Sequence, residues 1–111
     1  MTVKTHDFAS SIDRVATISS DKSKAVKFAI SNNSLTLTVI NPDAGTAVEK
    51  VDVSYEADDL EVGFNARYLL DIASQISGDT MTFILEDPGA PALINDSAHE
   101  DATYVLMPMR V

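Results

Sequence analysis

The side chains best suited to chemistry gather in one stretch, Asp96, His99, Glu100 and Asp101. Imidazole with carboxylate suits Zn²⁺, and oxygen donors suit harder cations. Asp96 and His99 are three residues apart, a spacing that serves one face of a helix. Their surroundings instead read as a polar loop over Asp96–Asp101, where one His among several acids is ordinary composition. A small metal-dependent hydrolase using Asp96, His99 and Asp101 is the alternative this cluster supports. His6 lies far away in sequence, near a helix start. The carboxylate pairs Asp58/Asp59 and Glu86/Asp87 fall in turns, where acids are common. Gly45, Gly63, Gly78 and Gly89 are all isolated, so the chain has no phosphate-cradling loop. No Ser stands in a nucleophile elbow. Cysteine is absent, which removes disulfides, thiolate metal sites and a thiol nucleophile. Nothing here requires catalysis, a metal or a cofactor.

The elements that must position these residues follow from periodicity. Thr2–Thr5 reads as a short strand, with Thr5 as a helix N-cap and Asp7 in the first turn, where the dipole favours an anion. Phe8, Ile12 and Val15 recur at i, i+4 and i+7, one apolar helix face running to about Ile18. From Lys24 the period is two. Val26, Phe28 and Ile30 form one strand, Asn32-Asn33 a tight turn, and Leu35, Leu37 and Val39 a second strand. Asn41-Pro42-Asp43-Ala44-Gly45 turns the chain into a third strand carrying Val51, Val53 and Tyr55. Val48 is out of phase with these, which predicts a β-bulge near Glu49.

After the polar turn Glu56–Asp59, Leu60, Val62 and Phe64 alternate as a strand, and Asn65 stands where an N-cap belongs. Tyr68, Leu69, Ile72, Ala73 and Ile76 form a second helical stripe, with Gly78 as its C′ residue. Strands are predicted at Met81–Leu85, Ala92–Asn95 and Tyr104–Met107, the first two joined by Asp87–Pro91. The order is strand, helix, three strands, twice over. It implies an α+β fold with two helices packed on antiparallel sheet, as a single domain over 1–111. The pairing of strands between the halves does not follow from patterns.

The 111 residues are 45% hydrophobic, the globular norm, with a net charge of −9. Such a charge argues against nucleic acid as an independent partner. It is segregated: residues 1–31 hold five basic and three acidic groups, and the other 80 hold three and fourteen. No apolar run reaches membrane-spanning length, and the chain opens on no signal-like segment, so a cytoplasmic location is expected.

The last eight residues, Tyr104-Val105-Leu106-Met107-Pro108-Met109-Arg110-Val111, stay apolar to the end apart from Arg110. Termini are usually polar and frayed. Pro108 cannot donate to a sheet, so the strand must stop there. The tail either packs on its own domain or forms a surface that another molecule covers.

This tail resembles the C-terminal signature of the bacterial sliding clamp, the β subunit of DNA polymerase III. Leu60-Glu61-Val62-Gly63-Phe64-Asn65-Ala66-Arg67-Tyr68-Leu69-Leu70-Asp71 is similar to the strand–helix junction of that family's third domain. Asn41-Pro42 before an acidic strand, and Ser19-Ser20-Asp21-Lys22-Ser23-Lys24-Ala25-Val26, add to the match, which covers essentially the whole chain. The resemblance implies one of three clamp domains, in a head-to-tail homodimeric ring that encircles duplex DNA and tethers the polymerase. It implies a non-enzymatic role. The implied partners are the clamp loader and clamp-binding peptides of polymerase and repair proteins, with the isolated domain monomeric.

Carried over residue by residue, Val105, Leu106, Met107, Pro108, Met109, Arg110 and Val111 fall on the peptide pocket. Asn65 and Tyr68 border it, and Gly89 and Pro91 fall near its rim. Arg14, Lys22, Lys24 and Arg67 would face DNA, and Thr17 and Ile18 the subunit interface. Two Met beside a Pro offer a deformable apolar surface that suits varied partners.

Overall fold

A computed structural model describes residues 1–17, 25–41 and 45–109. Ile18, Ser23, Lys22, Lys24, Pro42, Arg110 and Val111, all named above, lie outside the described residues. The first half runs β1 (Thr2–Lys4), α1 (Thr5–Ala16), β2 (Ala25–Ser31), β3 (Ser34–Asn41) and β4 (Gly45–Asp52). The second runs β5 (Leu60–Asn65), α2 (Ala66–Gln75), β6 (Thr80–Ile84), β7 (Ala92–Asp96) and β8 (His99–Leu106). The repeat of architecture is therefore present. No helix among the described residues is long and apolar enough to cross a membrane.

The halves exchange their first strands. One antiparallel sheet has the order β4-β3-β2-β5, the other β1-β6-β7-β8. Each is a three-strand meander completed by the leading strand of the opposite half. Two further bridges close the arrangement, Thr2 with Ser54 and Gly63 with Met109. In both cases a residue two or three positions past a half's last strand returns to that half's first strand, so the outer flanks of β1 and β5 are partly paired. The two helices pack against each other, and α1 also covers β3 and β4.

Four phenylalanines tie these layers. Phe28 of β2 meets Phe8 of α1, Phe64 of β5 and Phe83 of β6 at centroid distances of 6.0, 5.1 and 6.0 Å. The rings of Phe8 and Phe64 meet Phe28 edge-on at 73° and 74°, as a ring's quadrupole favours, and that of Phe83 is tilted at 58°. All four are buried, together with Ile12, Ile30, Leu35, Leu37, Leu69 and Ile94. Asn33, at φ 58°, takes the turn between β2 and β3 as its residue type allows.

Several expectations are corrected. Thr5 is not an N-cap: Lys4 holds that position without a side-chain bond, and Thr5 is the first helical residue. The Thr5 N–H donates to Asp79 O and its hydroxyl to Gly78 O, at 2.9 and 3.0 Å, which braces α1 against the α2–β6 connection. No bulge occurs near Glu49. The β3–β4 ladder is regular, and Val48, paired with Thr38, simply faces outward at 53% exposure.

Gly78 is not a helix C′ residue, because α2 ends on Ile76 in extended conformation. Gly78 is needed for close approach instead. A Cβ there would stand 2.7 Å from Ala98 N and from Asp96 Oδ1, and would overlap Ser97 Oγ. Finally, Asp96–Asp101 is no open loop. A tight turn at Ser97-Ala98 leads directly into β8, which begins at His99 and not at Tyr104, and a register irregularity lies here, between Asn95 and Asp96.

Candidate functional site

The β5–α2 junction has no loop. Asn65 ends the strand in extended conformation and caps the helix, its Oδ1 accepting from the N–H groups of Arg67 and Tyr68 at 2.9 and 3.3 Å. These are two of the donors that a helix start leaves unpaired. The cap sets the direction of the first turn, and with it the position of Tyr68. Contrary to the periodicity reading, Tyr68 is not on the buried stripe. It is 57% exposed, while Ala66, Leu69, Ile72 and Ala73 face the core. The buried residues of α2 centre on the direction of Leu69, and Tyr68 lies about 100° round the helix axis from it, at the edge of the stripe.

The tail leaves β8 after Leu106, which is buried. Pro108 has no N–H to extend the ladder. Met109 then donates its N–H to Gly63 O at 2.7 Å, which straps the tail across to β5. This main-chain bond leaves the side chains outward: Met107 is 62% and Met109 38% exposed, and Val105 is 61% exposed at the strand end.

Between the first turns of α2 and this strap runs a groove of about 490 Å³, lined by Asn65, Tyr68, Asp71, Ile72, Val105, Leu106, Met107, Pro108 and Met109. Seven of the residues singled out from sequence meet here. Asp71 and Ile72 were missed, although they stand three and four positions beyond Tyr68, the spacing that shares a helix face. Gly89 and Pro91 do not line the groove. They sit in the exposed turn between β6 and β7, beside Ala92, which pairs with Leu106. Apolar walls with a few convergent polar atoms (Asn65, the Tyr68 hydroxyl, the Asp71 carboxylate) suit a linear segment with apolar side chains.

Arg14 and Arg67 are exposed on α1 and α2, but Arg14 is ion-paired with Glu49 and donates to Ser11 Oγ at 3.2 Å. Thr17 caps α1, its hydroxyl donating to Arg14 O at 2.7 Å.

The alternative centre gains no support. Asp96 is buried, and its carboxylate accepts from Ser77 N–H, Gly78 N–H and Ala98 N–H at 2.9–3.0 Å. The Ala98 and Ser77 amides hold its pKa below the usual carboxylate range, against burial, with Gly78 and the His99 charge adding to the effect. Its oxygens are committed to backbone. Among the described residues no group of three or more His, Cys, Asp or Glu is placed to hold a metal.

The chain is 51% identical over 104 residues to the beta sliding clamp of Caulobacter vibrioides, covering 94% of this chain and 28% of that protein. Among solved structures, a sliding clamp (DNA polymerase III subunit beta) from Bartonella birtlesii bound to griselimycin matches with a TM-score of 0.95 and 51% identity, over 99% of this chain and 30% of that one. The C. crescentus beta sliding clamp matches with a TM-score of 0.96 and 49% identity, over 99% and 29%. The chain thus spans under a third of the length of these relatives. The family model for the DNA polymerase III beta subunit, C-terminal domain, matches residues 1–110, and the chain belongs to that family.

Proposed function

We propose that the chain works as the C-terminal domain of a cytoplasmic replicative sliding clamp and contributes one half of a cleft for linear peptide motifs. The observation that carries this reading is the groove between Tyr68 and the Met107–Met109 strap, where large apolar side chains stay exposed while their backbones are pinned. Exposed apolar surface of this kind marks interaction sites more often than chance placement does. The domain has a binding role and no catalytic one. The full-length protein closes into a homodimeric ring around duplex DNA, is placed there by a clamp loader, and holds polymerase and repair proteins through their peptides. In such a ring Thr17 and Ile18 would belong to the subunit interface, and Gly89 and Pro91, which do not line the groove within this chain, to the outer rim of the cleft.

The reading is tested by titrating a peptide of Gln followed by Leu and Phe residues, then repeating the titration with Tyr68→Ala and with Met107–Val111 deleted. Weak binding is expected for the intact chain, with at least about tenfold loss in either variant, as for truncation of a buried aromatic anchor. Binding that survives both changes removes the groove from consideration. The DNA contribution of this domain alone is small: Asp13 and Asp71 share the helices with Arg14 and Arg67, and sliding needs only loose phosphate contact. A salt-sensitive micromolar affinity of the chain for duplex DNA would contradict this.

A further inference from the structure

The outer face of the β1-β6-β7-β8 sheet carries apolar side chains in cross-strand register. Ile84 of β6 pairs with Leu93 of β7, and Leu93 pairs with Val105 of β8. Directly opposed residues of antiparallel strands share a face. Their sequence neighbours Phe83, Ile94 and Leu106 point inward and are buried, whereas Ile84, Leu93 and Val105 are 44%, 36% and 61% exposed. The adjacent row on the same outer face is polar: Thr82, Asn95 and Thr103, with the Thr103 hydroxyl donating to Asn95 Oδ1 at 3.0 Å. A sheet face that meets only water is expected to be polar throughout. Apolarity is confined to the one row that runs into the groove, and Val105 belongs to both.

Strands lie about 4.8 Å apart, so the row continues the groove by about 10 Å. That is the reach of about three extended residues. Acid brackets the path, with Asp71 in the groove and exposed Glu86 just past Ile84 in the chain. We infer that the peptide held in the groove continues across β8, β7 and β6, setting apolar side chains on Leu93 and Ile84 and a basic side chain near Glu86. This extension rests on the groove being a peptide site.

The test compares three peptides on the intact chain: a short one (Gln followed by Leu and Phe residues), and two that add Leu-Ser-Leu-Lys at its N- or its C-terminal end, so that both leucines share one face of the extended segment. One extended peptide is expected to bind about tenfold more tightly than the short one, as burial of two aliphatic side chains allows. Leu93→Glu and the milder Ile84→Thr should each remove most of that gain and leave short-peptide binding unchanged, with thermal melts confirming that both variants fold. Extended peptides that gain nothing, or a gain that both variants keep, overturn the extension and leave the groove intact. Failure of all three peptides to bind overturns both.

Discussion

One carboxylate, Asp96, gathers three backbone amides from two separate turns, Ser77-Gly78 and Ala98. Its folded pKa is lowered. The folded state therefore binds fewer protons than the unfolded chain near the ordinary aspartate value. The stability it contributes is complete above that value and is lost as pH falls through the lower folded one. Denaturant midpoints of the wild type and Asp96→Asn should differ by a constant amount above about pH 5 and converge below about pH 4. A difference independent of pH down to about pH 2.5 would contradict the assignment. From sequence, Asp96 resembled a metal ligand, because a carboxylate bonded to backbone and one bonded to a cation share the same neighbours in the chain. Asn65 was legible as a cap since capping is local, its partners only two and three residues away. Tyr68 was placed on the wrong face, because an aromatic that lines a groove satisfies the same apolar spacing as one that fills a core.

Elements whose signals are local were readable, and those defined by distant partners were not. Phe8, Ile12 and Val15 mark the core face of α1, and all three are buried. The alternation of β2 and β3 also matches the burial found. The exchange of β1 and β5 between sheets has no local signature, for it depends on pairings such as Val3 with Met81, 78 positions apart in the chain. The β6–β8 corner depends likewise on contacts across the sheet. At Gly78 the α2–β6 connection lies so close to the β7–β8 turn that a methyl group would meet Ala98 N and Asp96 Oδ1 at 2.7 Å. Gly78→Ala should cost about 1–3 kcal/mol, since backbone must move. Gly89→Ala, where the nearest atom is the flexible Asp87 Oδ1 at 3.4 Å, should stay within about 0.5 kcal/mol. Equal unfolding midpoints for the two variants would show that the close approach at Gly78 is not a constraint.

Across the whole molecule, strand exchange and the shared phenylalanine cluster make the halves interdependent. Neither meander has a complete sheet without the other half's leading strand. One unfolding transition is expected, with near-ultraviolet and far-ultraviolet signals coincident. Phe28→Ala, which removes three ring contacts at once, should cost about 3–5 kcal/mol, a large share of the roughly 5–15 kcal/mol typical of a domain. Two separate transitions would contradict this coupling. The same interdependence holds the groove: α2 supplies one wall and the tail beyond β8 the other, while the Met109–Gly63 bond fixes their separation. The tail's apolarity was evident from sequence, but the strap was not, because it joins residues 46 positions apart. The most direct measurement is amide chemical-shift mapping of the labelled chain during titration with a peptide of Gln followed by Leu and Phe residues. Saturable shifts centred on Asn65, Tyr68, Asp71, Ile72, Val105, Leu106, Met107 and Met109 are expected. Shifts centred instead on the larger cavity of about 780 Å³ beside Asn33, Tyr55 and Leu85, or no shifts at millimolar peptide, would contradict a peptide site at the tail.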